Sequence, residues 1–142
     1  MSWVKLVLVR GIPGSGKSTV ANMISDVGYW FHYEADQYFV DKNGNYDWDA
    51  SKIGDAHKWC QSMTENALKM EYNVVVSNTF TTIKELRPYF VIARDLSITP
   101  IVITANGAFN NVHNVPLDTL AKMRDRFQHD LSPLFAEFGM QH

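Results

Sequence analysis

Residues Gly11-Ile12-Pro13-Gly14-Ser15-Gly16-Lys17-Ser18 fit the pattern G-x-x-x-x-G-K-[ST], whose residue types together suit the binding of a nucleoside triphosphate. Glycines at these spacings let the backbone curl into a nest of N–H donors around a β-phosphate, and a helix opening near Ser18 would aim its positive end at the same anion. Gly11, Pro13, Gly14, Ser15, Gly16, Lys17, Ser18 and Thr19 are therefore the candidate nucleotide-binding residues. Lys17 is expected on the β- and γ-phosphates and Ser18 on Mg²⁺. Ordinary residue frequencies give an accidental match in roughly one chain of this length in two hundred. The apolar run Leu6-Val7-Leu8-Val9 just upstream reads as the buried strand that such a loop needs.

Phosphoryl transfer also needs a group to position or deprotonate the nucleophile. Asp36 is the candidate, as a general base toward an acceptor hydroxyl or as a member of the Mg²⁺ shell, because it follows a predicted strand at the edge where the phosphate loop lies. A turn cap is the alternative role for an aspartate there. Motor- and GTPase-type NTPases end a valine-rich strand with an aspartate, whereas Val74-Val75-Val76 runs into Ser77-Asn78-Thr79. An ATP-driven machine is therefore not expected. Ser77 or Asn78 either reaches a metal-bound water or acceptor phosphate, or satisfies backbone at a strand end. The aromatics Tyr29, Trp30, Phe31, Tyr33, Tyr38 and Phe39 either pack in the core or stack on bases, and His57 is read as half-buried.

The elements that must position these residues alternate between strand and helix. Strands are predicted at Lys5 to Arg10, Trp30 to Ala35, Asn73 to Ser77 and Pro100 to Thr104. The second alternates Phe31, Tyr33 and Ala35 against His32 and Glu34, which marks a half-exposed sheet edge. Helices are predicted from Lys17 to about Asp26, from beyond Asp47 or Asp49 with an apolar stripe of Ile53, Ala56, Cys60, Met63, Ala67 and Met70, from Thr82 to about Leu96, and from about Pro116. Thr82 with Glu85 spells a capping box. The pattern is that of one α/β domain over residues 1–142, with a parallel sheet, helices on both faces and the site at the carboxyl ends of the strands.

The 142 residues suffice for one core, and a net charge of −2 disfavours general polyanion binding, leaving at most local contact with a nucleic-acid end. A single cysteine, Cys60, no metal-spaced Cys/His set and no signal-like or membrane-length apolar run point to a soluble protein of a reducing cytoplasm.

Beyond the phosphate loop, Asp36-Gln37-Tyr38-Phe39, Gly54-Asp55-Ala56-His57-Lys58-Trp59, Asn78-Thr79 and Val112-His113-Asn114-Val115-Pro116 follow in order. With them the chain resembles the small P-loop kinases related to phage polynucleotide 5′-kinase, especially the kinase-like domains of the AAA_33 type. The resemblance implies a three-layer P-loop NTPase sandwich with strand order 2-3-1-4, ATP as donor with Mg²⁺, Lys17 and Ser18 on the phosphates and metal, and Asp36 as the base. It also implies arginines in a lid before the H-x-V-P element, where this chain has Asn106-Gly107-Ala108-Phe109-Asn110-Asn111 and no Lys or Arg between Arg94 and Lys122. An acceptor-gripping arginine three residues after the aspartate is replaced by Phe39, and Arg124 or Arg126 either reaches the site or lies on a solvated helix face. Three outcomes follow: a kinase acting on a polynucleotide 5′ end, nucleotide or small metabolite; a non-catalytic ATP-binding regulator or inhibitor; or a slow ATPase.

Overall fold

The computed structural model describes residues 3–107 and 115–141. The lid residues Ala108 to Asn111 and the Val112-His113-Asn114 part of the H-x-V-P element lie outside the described residues. Four strands, β1 (Leu6–Arg10), β2 (Trp30–Tyr33), β3 (Asn73–Asn78) and β4 (Ile101–Thr104), form one all-parallel sheet in the order β2-β3-β1-β4. The central pair is apolar through Leu6 to Val9 and Val74 to Val76, where both faces are covered.

Alternate residues of β1 and β3 feed two cores. Leu6, Leu8, Val74 and Val76 pack with α2 (Ile53–Lys69), α3 (Ile83–Asp95) and α5 (Ser132–Glu137) through Ala56, Cys60, Leu86, Phe90, Leu134 and Phe135. On the opposite face Val7, Val9 and Val75 meet α1 (Lys17–Ser25) through Ala21, Val20 and Ile24. The remaining helix, α4 (Leu117–Arg126), buries Leu120.

The buried stripe of α2 differs from the sequence reading. Ile53 and Met70 are exposed, and Thr64 and Leu68 take the inward places with Ala56, Cys60 and Ala67. Thr64 is accommodated because its hydroxyl donates to the Cys60 carbonyl at 2.8 Å, leaving its methyl group for packing. The capping of α3 is as predicted, with the Glu85 carboxylate receiving the backbone N–H and hydroxyl of Thr82 and the hydroxyl of Thr81.

The second strand is an edge, as expected, and ends two residues early at Tyr33. Its alternation, however, does not separate core from solvent. Phe31, on the apolar side, is 42% exposed, whereas the side chains of His32 and Glu34 are only 14% and 20% exposed. Those two polar residues face the sheet side that carries α1.

Candidate functional site

The phosphate loop leaves β1 and turns directly into α1. Gly14 and Gly16 hold φ of 84° and 90°, a left-handed backbone that a side chain would strain, and Gly16 is the residue that starts the helix. Ser15 N–H donates to the Ile12 carbonyl at 3.1 Å, while Gly107 N–H donates to the Ser15 carbonyl at 2.8 Å, fastening the loop to the segment after β4. Space fixes Gly11 instead: a Cβ there would lie 2.9 Å from the Ala105 carbonyl oxygen and 3.0 Å from Ser15 Cβ. The first N–H groups of α1 have no acceptor within the helix, so the loop presents donors and a helix N-terminus to one concavity.

Around that concavity the structure brings together Lys17, Ser18, Glu34 and Asp36. Lys17 is partly buried; burial lowers its pKa, opposed by the charges of Glu34 and Asp36. Ser18 Oγ donates to Glu34 Oε1 at 2.8 Å, Ser77 Oγ donates to the same oxygen at 2.8 Å, and His32 Nε2 lies 3.1 Å from it and 2.7 Å from Ser77 Oγ. The second ring nitrogen of His32 meets Asn22 Oδ1 of α1 at 3.1 Å. Burial alone would raise the Glu34 carboxyl, but the hydrogen bonds from His32, Ser18 and Ser77, with the charge of His32, outweigh it and hold it at about 2.

Asp36 does not follow the strand directly. It sits in a 3-10 turn, Ala35–Phe39, packed against α2. Asn78 anchors the start of that turn, its Oδ1 accepting from Ala35 N–H at 2.9 Å, while Asp36 Oδ1 accepts from the Tyr46 hydroxyl at 3.4 Å. A tight reversal delivers Tyr46: Asp41 Oδ1 caps the N–H groups of Asn43 and Asn45, and Val40 pairs with Tyr46 across it. So Asn78 serves a backbone group, one of its two expected roles, and Ser77 serves Glu34.

Sequence reasoning placed Glu34 and His32 on the open side of a strand and gave them no role. The signal was the missing acidic residue at the end of β3 together with a carboxylate just past the end of β2: Tyr33 is in register with Val76, which puts Glu34 beside Ser77. Arg10 was likewise passed over. It is fully buried, its Nε and Nη2 donate to the Phe80 carbonyl at 3.0 and 2.7 Å and Nη2 to the Thr81 carbonyl at 3.3 Å, and its guanidinium lies 4.0 Å from the centre of the Phe127 ring. Burial lowers its pKa to about 10 against the opposing charge of Glu85, which leaves it cationic at neutral pH. One side chain thus ties the strand that bears the phosphate loop to the segment before α3 and to the end of α4.

A cavity of about 540 Å³ opens beside the loop, lined by Gly11 to Ser15, Ala105 to Gly107, and Leu120, Arg124, Phe127 and His129. Arg124 therefore lines the same cavity as the phosphate loop, while Arg126 is turned to Thr81, its Nε donating to the hydroxyl at 3.1 Å. Thr19 is exposed on α1, Pro13 is partly buried at the cavity wall, and His57 is half-buried on α2.

No cluster of three or more His, Cys, Asp or Glu side chains suited to a metal occurs among the described residues. The donors at the phosphate loop are hard oxygens, the Ser18 hydroxyl and the Glu34 and Asp36 carboxylates. That set fits Mg²⁺, which takes one or two protein oxygens and leaves its other positions to water and phosphate. Among the described residues no helix is long and apolar enough to cross a membrane.

The sheet order, the loop between β1 and α1, and the lysine and serine at its end define a P-loop kinase-like α/β fold. The chain belongs to the AAA_33 family of AAA domains, whose model matches residues 6–108. It is 28% identical over 138 residues to human NEDD4-binding protein 2, covering 89% of this chain but 8% of that protein. Among solved structures it is similar to a chain of the Pnkp1/Rnl/Hen1 RNA repair complex, with TM-score 0.59 and 21% identity over 89% of this chain and 38% of that one. It is also similar to the APS kinase CysC of Mycobacterium tuberculosis in complex with AMPPNP and APS, with TM-score 0.56 and 15% identity over 98% of this chain and 76% of that one. The chain thus spans a small part of the curated relative and of the repair-complex chain.

Proposed function

We propose that this chain is an ATP-dependent phosphotransferase that passes the γ-phosphate of ATP to a hydroxyl. The observation that carries the reading is the convergence of Lys17 with the carboxylates Glu34 and Asp36 at the mouth of a phosphate loop that ends in Ser18. The loop N–H groups and Lys17 hold the β- and γ-phosphates, and Asp36 accepts the proton of the acceptor hydroxyl as its oxygen bonds to the γ-phosphorus and ADP departs. Ser18, with carboxylate support, would hold Mg²⁺, which would supply charge neutralisation for the transferring phosphate. Tyr46 positions Asp36 from the far side.

Exposed rings beside Asp36 support an acceptor that carries a base. Tyr38 is 38% and Tyr46 49% exposed, and Tyr38 leans on Trp59 at 6.1 Å. Such rings stack bases without sequence preference. The repair-complex and APS kinase likenesses agree with a polynucleotide 5′ end or a nucleotide as acceptor, and a cytoplasmic site goes with this reading. A second reading, a non-catalytic ATP-binding regulator, is favoured by one observation, the lack of any Lys or Arg from residue 95 to residue 121. Arg124 at the cavity wall speaks for catalysis.

The deciding experiment offers γ-labelled ATP with Mg²⁺ and, in turn, 5′-hydroxyl oligonucleotides, nucleosides and nucleotides. Transfer is expected to be slower than about 1 per second, and Asp36→Asn to lower it by about 10²-fold with ATP affinity unchanged. Tight ATP binding with no label in any acceptor would leave the regulator reading. Full activity of Asp36→Asn would return Asp36 to a capping role.

A further inference from the structure

In P-loop NTPases whose valine-rich strand ends in an aspartate, that aspartate and the phosphate-loop Ser or Thr together hold the Mg²⁺. This chain has Ser77 at that position, yet Ser18 is not without a carboxylate: Glu34, from the neighbouring strand, receives it at 2.8 Å. We infer that Glu34 replaces the missing third-strand aspartate, orienting Ser18 and receiving the water shell of the Mg²⁺ that accompanies ATP, with Ser77 and His32 as its supports. The inference deepens the ATP reading above and rests on it.

Three observations carry it. The register of β2 against β3 sets Glu34 one rung beyond the Tyr33–Val76 pair, beside Ser77, so the carboxylate occupies the place of the absent aspartate although it arrives from another strand. Among the described residues Ser18, Ser77 and His32 all meet a single oxygen, Oε1, which leaves the second carboxylate oxygen as the acceptor for a water shell. His32 is itself held at its other nitrogen by Asn22 of α1, so the carboxylate is supported from the helix that carries Ser18 as well as from β3.

The electrostatics argue the same way. A carboxylate beside Lys17 weakens the binding of a bare polyphosphate, since it repels the anion and competes for the same ammonium. It favours binding only when a divalent cation lies between. Glu34 should therefore make nucleotide affinity depend on the metal, a property that a purely structural carboxylate would not confer.

The test is the affinity of AMPPNP for the wild-type protein, Glu34→Gln and Glu34→Asp, measured calorimetrically in Mg²⁺ and again in EDTA. For Glu34→Gln the ratio of the two affinities should fall at least tenfold, with affinity in EDTA equal to or tighter than wild type. Glu34→Asp keeps the charge and loses reach, so its ratio should also fall while its affinity in EDTA stays at the wild-type value. Mn²⁺ in place of Mg²⁺ gives a second readout, because its spin-resonance signal on the protein–nucleotide complex should weaken in both variants. An unchanged ratio, or equal losses in Mg²⁺ and EDTA, overturns the role of Glu34 and leaves the ATP reading intact. Wild-type protein that binds AMPPNP in neither condition overturns both. Should Glu34→Gln fail to fold by circular dichroism, the ratio in Glu34→Asp decides.

Discussion

Acidification should unfold this protein partly through Glu34, and the size of the effect follows from the network around it. The carboxyl titrates at about 2 in the folded chain against 4.5 for the unfolded reference. Its folded pKa is depressed, so it stabilises the fold at pH above the unfolded value, and that stability is lost as pH falls from there toward 2. The full linkage is about 3 kcal/mol at neutral pH, of which about 1 kcal/mol remains at about pH 3, so about 2 kcal/mol is lost on the way. For a domain of this size that corresponds to about 7 °C in melting temperature. Glu34→Gln cannot titrate, and the other carboxylates held low, Asp41 by the Asn45 and Asn43 backbone and Asp49 by Ser51, are common to both proteins and cancel in the comparison. Thermal melts of the two proteins at about pH 7 and about pH 3 should therefore show a wild-type-minus-variant difference that shrinks by about 7 °C on acidification. Parallel melts at both pH values would refute the reasoning, because they would mean that the hydrogen bonds of Ser18, Ser77 and His32 do not favour the ionised form.

Two further substitutions probe the frame of the site. Gly11→Ala should destabilise the fold by about 1–3 kcal/mol in denaturant titrations and weaken nucleotide binding, because its Cβ meets the Ala105 carbonyl, which belongs to backbone already held to Arg10. Arg10→Met should cost about 1–3 kcal/mol, since it strands the Phe80 carbonyl, whereas the Thr81 carbonyl keeps the Gln128 N–H at 2.7 Å, and Arg10→Lys should not restore the loss, because an ammonium cannot reproduce the fork that meets both. Wild-type stability in Arg10→Met would mean that water replaces the guanidinium there.

The fold was legible because its signals are local and repeated. Valine-rich runs, glycine stops and a capping box mark elements whose order admits few topologies, and the phosphate loop names its own residues. What was not legible depends on the partner of each residue across the sheet. Alternation in β2 says that His32 and Glu34 share a face, but only the neighbouring strand and α1 decide that the face is covered and hydrogen-bonded and not solvent. Arg10 hides for the same reason, since a cation ending an apolar strand reads as a surface residue until Phe80, Thr81 and Phe127 close over it. In α2, hydropathy placed Ile53 and Met70 inward, whereas the buried positions run from Ala56 to Leu68 and leave both flanking residues exposed at the helix ends.

The central claim, that this loop binds ATP, is tested most directly by calorimetric titration of the wild-type protein and Lys17→Ala with ATP and Mg²⁺. The account predicts saturable binding by the wild-type protein and no measurable binding by the variant, with both melting at similar temperatures, because Lys17 contacts the ligand and lies outside the hydrophobic core. Equal affinity in the two proteins, or no binding by the wild type, would contradict it.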